Sequence, residues 1–284
     1  MSPSKMTRTE RLAFLSRMGD SLSDLFFRSV TPICILPEGG APITRGTGTC
    51  FRIASRSFLV TASHVADLAR KEGLQLAVAD AIQGARMLPL HGRLCVAEGT
   101  CDVAAWELPG DLVQQLPNRR FLSLADIDFS ERVREGWFYL HGYPECWSVD
   151  RDNKNATTTG TWFTYGAMLY DGPSFDKYNS PYHILLGAPN AEHISADGRP
   201  AKLPQDFKGL SGCSIWQAFV LGHSLPHWTV EDVKITAIQT GTHENGTIVK
   251  GTRWMAVAYL LWQNYRDLRA PLAIHLTDGI IDEW

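Results

Sequence analysis

The sequence lacks a long apolar run, a strong net charge and an export signal. Its 284 residues carry a net charge of −3, with lysine and arginine scattered along the chain. Such a charge gives no reason to expect nucleic acid or an acidic membrane surface as a partner. No segment approaches the roughly 18 apolar residues of a membrane span, and residues 1–20 contain no signal-peptide core. We therefore expect a cytoplasmic protein with no nucleic-acid or membrane partner.

A cysteine framework is also absent. No CxxC pair and no regular spacing connects the cysteines, which are Cys34, Cys50, Cys95, Cys101, Cys146 and Cys213. Without an export signal, reduced thiols are the expected state. The same spacing disfavours a structural zinc site. We expect no metal and no cofactor.

Short strand-like runs dominate the chain after residue 28. Segments such as TGTCFRI and SFLVTA are rich in β-branched and aromatic residues, and turn residues separate them at intervals of roughly 8 to 12 residues. This texture predicts an antiparallel, all-β architecture. It continues to RWMAVAY, the last predicted strand, and helical spacing follows over residues 258–272.

A polar, turn-rich stretch, residues 116–136, separates two sets of predicted strands. We therefore divide the chain into a helical extension (residues 1–28), a first β-barrel (29–125) and a second β-barrel with the carboxy-terminal helix (126–284). Residues 8–28 have the apolar spacing of an amphipathic helix. This helix packs on the back of a barrel, docks a partner or keeps the protein latent; the sequence leaves all three open.

Ser211 lies between two glycines in the segment DFKGLSGCSIW, just before a strand-like run. A small residue suits a tight turn, so the segment alone does not distinguish a turn residue from a nucleophile. A nucleophilic serine needs a base, usually histidine, and a carboxylate that orients that base. The question therefore depends on the rest of the chain.

Two other segments contain the required groups. His64 follows an apolar strand in FLVTASHVAD, at a predicted strand-to-helix corner, and Asp102 opens the buried strand of DVAAWEL. A buried charge is costly unless it is paired. Taken singly, His64 is a surface residue at a helix start and Asp102 a turn residue at a strand entry. Together with Ser211 they give the order His, Asp, Ser.

The segments FLVTASHVAD, DVAAWEL and GLSGCSIW resemble the three motifs of the trypsin-like (chymotrypsin-fold) serine peptidases. YLHGYPE is similar to a turn near the start of the second barrel, especially in bacterial and Deg-like members, and GTGTCFRI is similar to a segment of members that need no amino-terminal cleavage. The resemblance covers about residues 30–270. It implies two six-stranded antiparallel Greek-key barrels, with a helix at each end of the chain and the site between the barrels.

The resemblance also implies roles for the site residues. Ser211 would attack a peptide carbonyl, His64 would transfer the proton and Asp102 would orient His64. The backbone N–H groups of Gly209 and Ser211 would form the oxyanion hole. Leu210 stands where digestive-type members have the aspartate that pairs with a freed amino terminus, so we expect no activation by that route.

Substrate recognition is predicted along the segment ITAIQTGTHENG. Its Gln239, Thr240 and Gly241 would offer backbone groups to an extended peptide. His243, in GTHENG, is similar to the pocket histidine of viral 3C-type proteases, which favours Gln or Glu before the cut. The alternative is an exposed His243 beside a hairpin turn, since Asn-Gly is a strong turn signal.

Gln205 and Asp206 lie on the loop before the nucleophile and are also candidates for the substrate pocket. Asp206 would favour basic substrate residues, which conflicts with the preference implied by His243. The sequence does not decide between them.

These features predict an intracellular serine endopeptidase that cleaves proteins or peptides, with narrow specificity or control by a regulatory protein partner. The alternative is a catalytically silent trypsin-like scaffold that binds proteins. An α/β-hydrolase esterase is disfavoured, because its elbow needs G-x-S-x-G and the order Ser, Asp, His.

Overall fold

The strands of the described chain fall into two groups. The computed structural model describes residues 18, 21–38, 41–80, 86–97, 99–130, 133–145, 148–152, 157–160, 163–173, 175, 178, 181–187, 207–220, 228–243 and 248–276. The strands are β1 (Val30–Ile35), β2 (Ile43–Ile53), β3 (Arg56–Ala62), β4 (Leu76–Ala79), β5 (Met87–Pro89), β6 (Leu94–Ala97), β7 (Val103–Leu108), β8 (Gly136–Gly142), β9 (Ser148–Asp152), β10 (Thr157–Gly160), β11 (Phe163–Leu169), β12 (His183–Gly187), β13 (Ser214–Val220), β14 (Lys234–His243) and β15 (Ile248–Arg253). The helices are α1 (residues 21–29, with residue 18 also helical), α2 (Ser63–Arg70), α3 (Gly110–Gln114), α4 (Trp254–Asn264) and α5 (Arg269–Ala273).

The first group forms one antiparallel sheet. Within the described residues it has seven strands in the order β5-β4-β1-β2-β3-β7-β6. The additional strand relative to the predicted six is β5, which spans three residues, Met87–Pro89. Ile33, Leu59 and Trp106 belong to the cluster of buried side chains within this unit.

The second group forms a closed antiparallel barrel of six strands, in the order β11-β12-β15-β14-β13-β8. Closure leaves no unpaired strand edge in the barrel. Phe138, Ile215 and Val249 belong to its buried cluster. Strands β9 and β10 pair separately as a two-stranded ribbon.

The predicted fold class is confirmed: the chain is mostly β, with two curled sheets and a helix at each end, in the chymotrypsin-like arrangement. Residues 109–135 connect the first sheet to the barrel. Leu122 forms a bridge with Phe51 of the first sheet, and Ile127 forms one with Ile235 of the barrel. The exact domain boundaries remain a prediction.

The end of the barrel differs from the prediction in one place. The predicted strand RWMAVAY is helical from Trp254 onward, and the last strand is the preceding segment, Ile248–Arg253. Every residue from Trp254 to Leu261 is buried. A helix that is apolar on all sides shows no amphipathic period, so a short apolar run of this kind does not distinguish strand from helix.

Both terminal helices pack into a core shared by the two units. Phe26 of α1 contacts the ring of Trp216 with centroids 5.0 Å apart, and Trp254 of α4 contacts Phe51 at 4.8 Å. Residues 21–29 therefore pack on the body of the protein, the first of the three alternatives; residues 8–17 lie outside the described residues. No helix in the described part of the chain has the length and apolar character needed to cross a membrane.

Arg119 joins the connecting segment to α1. Its side chain is buried, and it donates hydrogen bonds to the carbonyl oxygens of Phe27 (2.9 Å), Val30 (2.7 Å) and Ala79 (3.0 Å). Each buried carbonyl that loses its donor costs about 1–3 kcal/mol. We expect Arg119→Met to lower the free energy of unfolding, measured in urea, by about 3 kcal/mol. The neighbouring Arg120 is half-exposed, so Arg120→Met should change it by less than about 0.5 kcal/mol; equal losses would contradict this role.

Candidate active site

His64 lies at the corner where β3 ends and α2 begins. Strand β3 pairs with β7 so that the last partners are Ala62 and Val103. The next residues outward, Ser63 and Asp102, therefore face each other, and the Ser63 N–H donates to the Asp102 carbonyl at 3.0 Å. The antiparallel register thus brings Asp102 to a corner that lies 38 residues earlier in the chain.

Three donor groups converge on the Asp102 carboxylate. Oδ2 lies 2.8 Å from His64 Nδ1, and Oδ1 accepts hydrogen bonds from the His64 backbone N–H (3.0 Å) and the Ser63 hydroxyl. Burial opposes ionisation of Asp102, but the hydrogen bonds and charge of His64, together with the Ser63 hydroxyl, outweigh it and hold the pKa of Asp102 below its usual range. The ionised carboxylate orients the imidazole, with Nδ1 toward Asp102.

Sequence reasoning missed Ser63. The available signal was a hydroxyl residue directly before the histidine in TASHV, where a short side chain can reach the carboxylate that bonds to the histidine.

The loop that carries Asp102 is held from the other unit. Lys250 Nζ donates to the Thr100 carbonyl at 3.0 Å and Thr252 Oγ1 donates to the Cys101 carbonyl at 2.6 Å. Both β-units therefore position the carboxylate.

Ser211 lies in the turn that precedes β13. The Gly212 N–H donates to the Gln239 carbonyl, and the Gln239 N–H donates to the Cys213 carbonyl, both at 2.8 Å. Gly212 has a φ of +91°, and a side-chain carbon added there would lie 2.8 Å from the Ala62 nitrogen. The turn therefore lies against the end of β3, next to the corner that carries His64.

The structure joins His64 to Asp102 but not to Ser211. Among the described contacts no hydrogen bond connects Ser211 Oγ with the His64 ring. In enzymes without substrate such bonds are often long and tighten when substrate binds. The pairing of Ser211 with His64 therefore stays a prediction.

The backbone around Ser211 presents unused donors. In the described residues, the N–H groups of Gly209 and Ser211 have no hydrogen-bond partner. Gly209 has a φ of +86°, in the left-handed region that favours glycine. Two free N–H groups that are two residues apart can bind a developing oxyanion. By contrast, Cys213 is fully buried and burial raises the pKa of its thiol, so it remains a neutral packing group.

A cavity of about 440 Å³ lies between the two units, next to the His64–Asp102 pair. His64 and Asp102 line it from the first sheet, and Thr240, Gly241 and His243 line it from β14. The predicted base and three predicted substrate-binding residues therefore meet in one place. Ser211 does not line this cavity.

The remaining predicted substrate residues differ in position. Gln239 is buried and lies outside the cavity lining; its backbone holds the nucleophile turn instead. The His243 ring stacks on Phe175, with centroids 4.7 Å apart, which fixes it at the rim of the cavity. Gln205 and Asp206 lie outside the described residues. No group of three or more His, Cys, Asp or Glu side chains in the described ranges is placed to hold a metal ion.

The fold and the site define a protein with two curled β-units in the chymotrypsin-like arrangement and an oriented His–Asp pair where the units meet. The chain is similar to trypsin-like serine proteases. The Rv3671c protease of M. tuberculosis in its active form is 15% identical with a TM-score of 0.48, over 87% of this chain and 85% of that one.

Two further solved structures are similar to a comparable degree. The thermostable serine protease AL20 from an extremophilic microorganism is 12% identical with a TM-score of 0.47, over 80% of this chain and 91% of that one. The serine protease domain of the Sesbania mosaic virus polyprotein is 12% identical with a TM-score of 0.43, over 84% and 91%. No family model and no curated protein matches the sequence. Function is therefore argued from the chain's own residues.

Proposed function

We propose that the protein is a serine endopeptidase that uses His64, Asp102 and Ser211. The observation that carries this proposal is the convergence of three donors on the Asp102 carboxylate, which orients the His64 ring beside the nucleophile turn. A surface histidine at a helix start needs no such carboxylate, and a buried carboxylate is costly unless it is paired. Orientation of an imidazole next to a serine serves proton transfer.

In this reaction Ser211 Oγ attacks the carbonyl carbon of a peptide bond while His64 Nε2 takes the hydroxyl proton. The N–H groups of Gly209 and Ser211 bind the resulting oxyanion. His64 then gives the proton to the leaving amine, and an acyl-enzyme remains on Ser211. Water attacks the ester with His64 again as base, which releases the acid and restores the serine.

The substrate is a protein or peptide bound in an extended conformation beside Thr240 and Gly241. A substrate side chain enters the cavity that His64 shares with His243, where Lys71 and Lys250 also lie. His243 remains the candidate for recognising Gln or Glu; the competing basic preference depends on Asp206, outside the described residues.

We further propose that the enzyme works in the cytoplasm, with narrow specificity or a regulatory partner. Free thiols support a reducing compartment: the cysteines within the described ranges, Cys34, Cys50, Cys95, Cys101 and Cys213, are free and buried.

A fluorophosphonate probe, which phosphonylates activated serines with loss of fluoride, tests the function. The wild-type protein should be labelled, and Ser211→Ala should lose the labelling and the hydrolysis of a peptide library. Ser130→Ala, which removes an exposed hydroxyl, should change neither. Labelling that persists in Ser211→Ala would assign the reaction to another residue. A folded wild-type protein that neither labels nor cleaves would favour the silent scaffold.

A further inference from the structure

Thr47, on β2 of the first sheet, forms two hydrogen bonds to the turn that carries Ser211 and two to neighbouring segments. Its N–H donates to the Ser211 carbonyl (2.9 Å) and its hydroxyl donates to the Gly209 carbonyl (2.7 Å). The same hydroxyl accepts the Tyr143 N–H (3.1 Å), and the Thr47 carbonyl accepts the Thr61 hydroxyl (2.8 Å). Thr47 is fully buried, so each of these bonds forms away from water.

The direction of the Gly209 N–H is set by a neighbouring bond. In a trans peptide the N–H points opposite to the carbonyl, so a bond to one fixes the other. The Lys208 carbonyl shares its peptide plane with the Gly209 N–H and accepts the Glu145 N–H at 2.8 Å. Glu145, in the segment that follows β8, thus holds this turn.

The direction of the Ser211 N–H is set in the same way. The Leu210 carbonyl shares its plane and accepts the Cys213 N–H at 2.9 Å. Thr47 holds the plane between these two, through the Gly209 carbonyl, and the plane that follows them, through the Ser211 carbonyl. Four consecutive peptide planes are therefore fixed, two of them by one residue of the opposite unit.

The side chain of Leu210 explains why hydrogen bonds to the backbone must fix the turn. Its side chain is apolar and fully buried, so it offers no charge with which an ion pair could fix the turn. A carbonyl bonded by a buried hydroxyl stays in place without any ionised partner. The turn is therefore held by hydrogen bonds to its carbonyls, two of them from the opposite unit.

We propose that Thr47 is a positioning residue that keeps both oxyanion-hole donors directed at the reacting carbonyl, in place of an ion pair at position 210. The proposal rests on the proposed function, and it extends that function by making the oxyanion hole permanently formed. Preorganised donors lower a barrier because they need no reorganisation during the reaction.

Thr47→Val tests the proposal, because valine keeps the shape and removes the hydroxyl. We expect kcat for a peptide ester to fall about 10- to 100-fold with KM within about twofold, because the donors are misaligned only for the transition state. The affinity for a peptide aldehyde, which forms an oxyanion on Ser211, should fall by the same factor. Thr47→Ser, which restores the hydroxyl, should recover kcat to within about threefold.

Thr49→Val is the matched control. Thr49 lies two residues later on β2, is equally buried, and its hydroxyl accepts a hydrogen bond from the Ser214 hydroxyl at 2.8 Å. Thr49→Val should lose about as much stability as Thr47→Val and keep kcat within about twofold of wild type. Equal kcat losses in the two valine variants, or failure of Thr47→Ser to recover, would overturn the proposal. If Thr47→Val does not fold, Thr47→Cys, whose thiol is a weaker donor, replaces it: kcat should fall below that of Thr47→Ser, and a kcat equal to wild type would overturn the proposal.

A structural readout separates this proposal from the proposed function. If Ser211→Ala and wild type are equally inactive, the proposed function fails. The crystal structure of Thr47→Val still tests whether Thr47 fixes the turn that carries Ser211. Rotation of the Gly209 carbonyl away from position 47, with the turn unchanged in Thr49→Val, supports it. A turn that is unchanged in both variants contradicts it.

Discussion

Asp102→Asn is expected to lower kcat about 10⁴-fold while the protein stays folded. In the wild type, Asp102 Oδ2 faces His64 Nδ1 at 2.8 Å. An amide nitrogen in that position donates instead of accepting, so Nδ1 must become the acceptor. The imidazole proton then resides on Nε2, which can no longer take the proton of Ser211. The amide oxygen still accepts the N–H of His64 and the hydroxyl of Ser63, which preserves the geometry.

Retention of the fold follows from the backbone at this position. Asp102 has a φ of +48°, and asparagine tolerates the left-handed region better than other residues with a side chain. We therefore expect Asp102→Asn to melt within a few degrees of wild type, whereas Asp102→Ala should add a strain cost of about 1–2 kcal/mol. Asp111→Asn, at an exposed carboxylate, should retain full activity. Wild-type kcat in Asp102→Asn would exclude Asp102 from the reaction.

The positions of His64 and Asp102 could be predicted because both depend on local pattern. The apolar run before His64 ends in small residues. The first four residues after Asp102 are all buried, so each strand end can be recognised in the sequence. The pairing between them follows once the two strands are neighbours. Local features of this kind can be predicted without knowledge of the rest of the fold.

The elements that sequence reasoning missed depend on distant contacts. Strand β5 has three residues, too few for an alternating pattern, and it forms because β4 offers an edge. Thr47 bonds to Gly209 across 162 residues of sequence, and nothing in GTGTC distinguishes its hydroxyl from that of any strand threonine. Only the docking of the two units reveals which threonine meets the turn.

This dependence on docking explains why the site lies where it does. The proposed base and its carboxylate belong to the first unit, and the turn that carries the proposed nucleophile belongs to the barrel. Two of the contacts between the units are hydrogen bonds to backbone carbonyls, from Thr252 to Cys101 and from Thr47 to Gly209. Backbone carbonyls are present whatever the side chains are, so these donors add fixed contact points to the apolar core that the two units share.

Gly209→Ala is expected to be the second most damaging change, with kcat lowered by about 100-fold or more. A side-chain carbon at position 209 would lie 2.4 Å from the Tyr143 carbonyl oxygen and 2.6 Å from the Glu145 nitrogen. Backbone cannot yield as a flexible side chain can. The turn must therefore move away, which breaks the bond from Glu145 to Lys208 and redirects the Gly209 N–H.

Gly73→Ala separates this effect from backbone strain. Gly73 has a comparable φ of +70° with nothing within 4 Å of an added carbon, so alanine there costs only about 1–2 kcal/mol of strain. Steady-state kinetics at a temperature where all variants are folded should show wild-type kcat in Gly73→Ala and the large loss in Gly209→Ala, with KM much less affected. If both variants retained wild-type kcat, the Gly209 N–H would not contribute to the reaction. A loss confined to Gly209→Ala would show that displacement of the turn that carries the Gly209 N–H, rather than backbone strain alone, lowers kcat, because the strain is present in both.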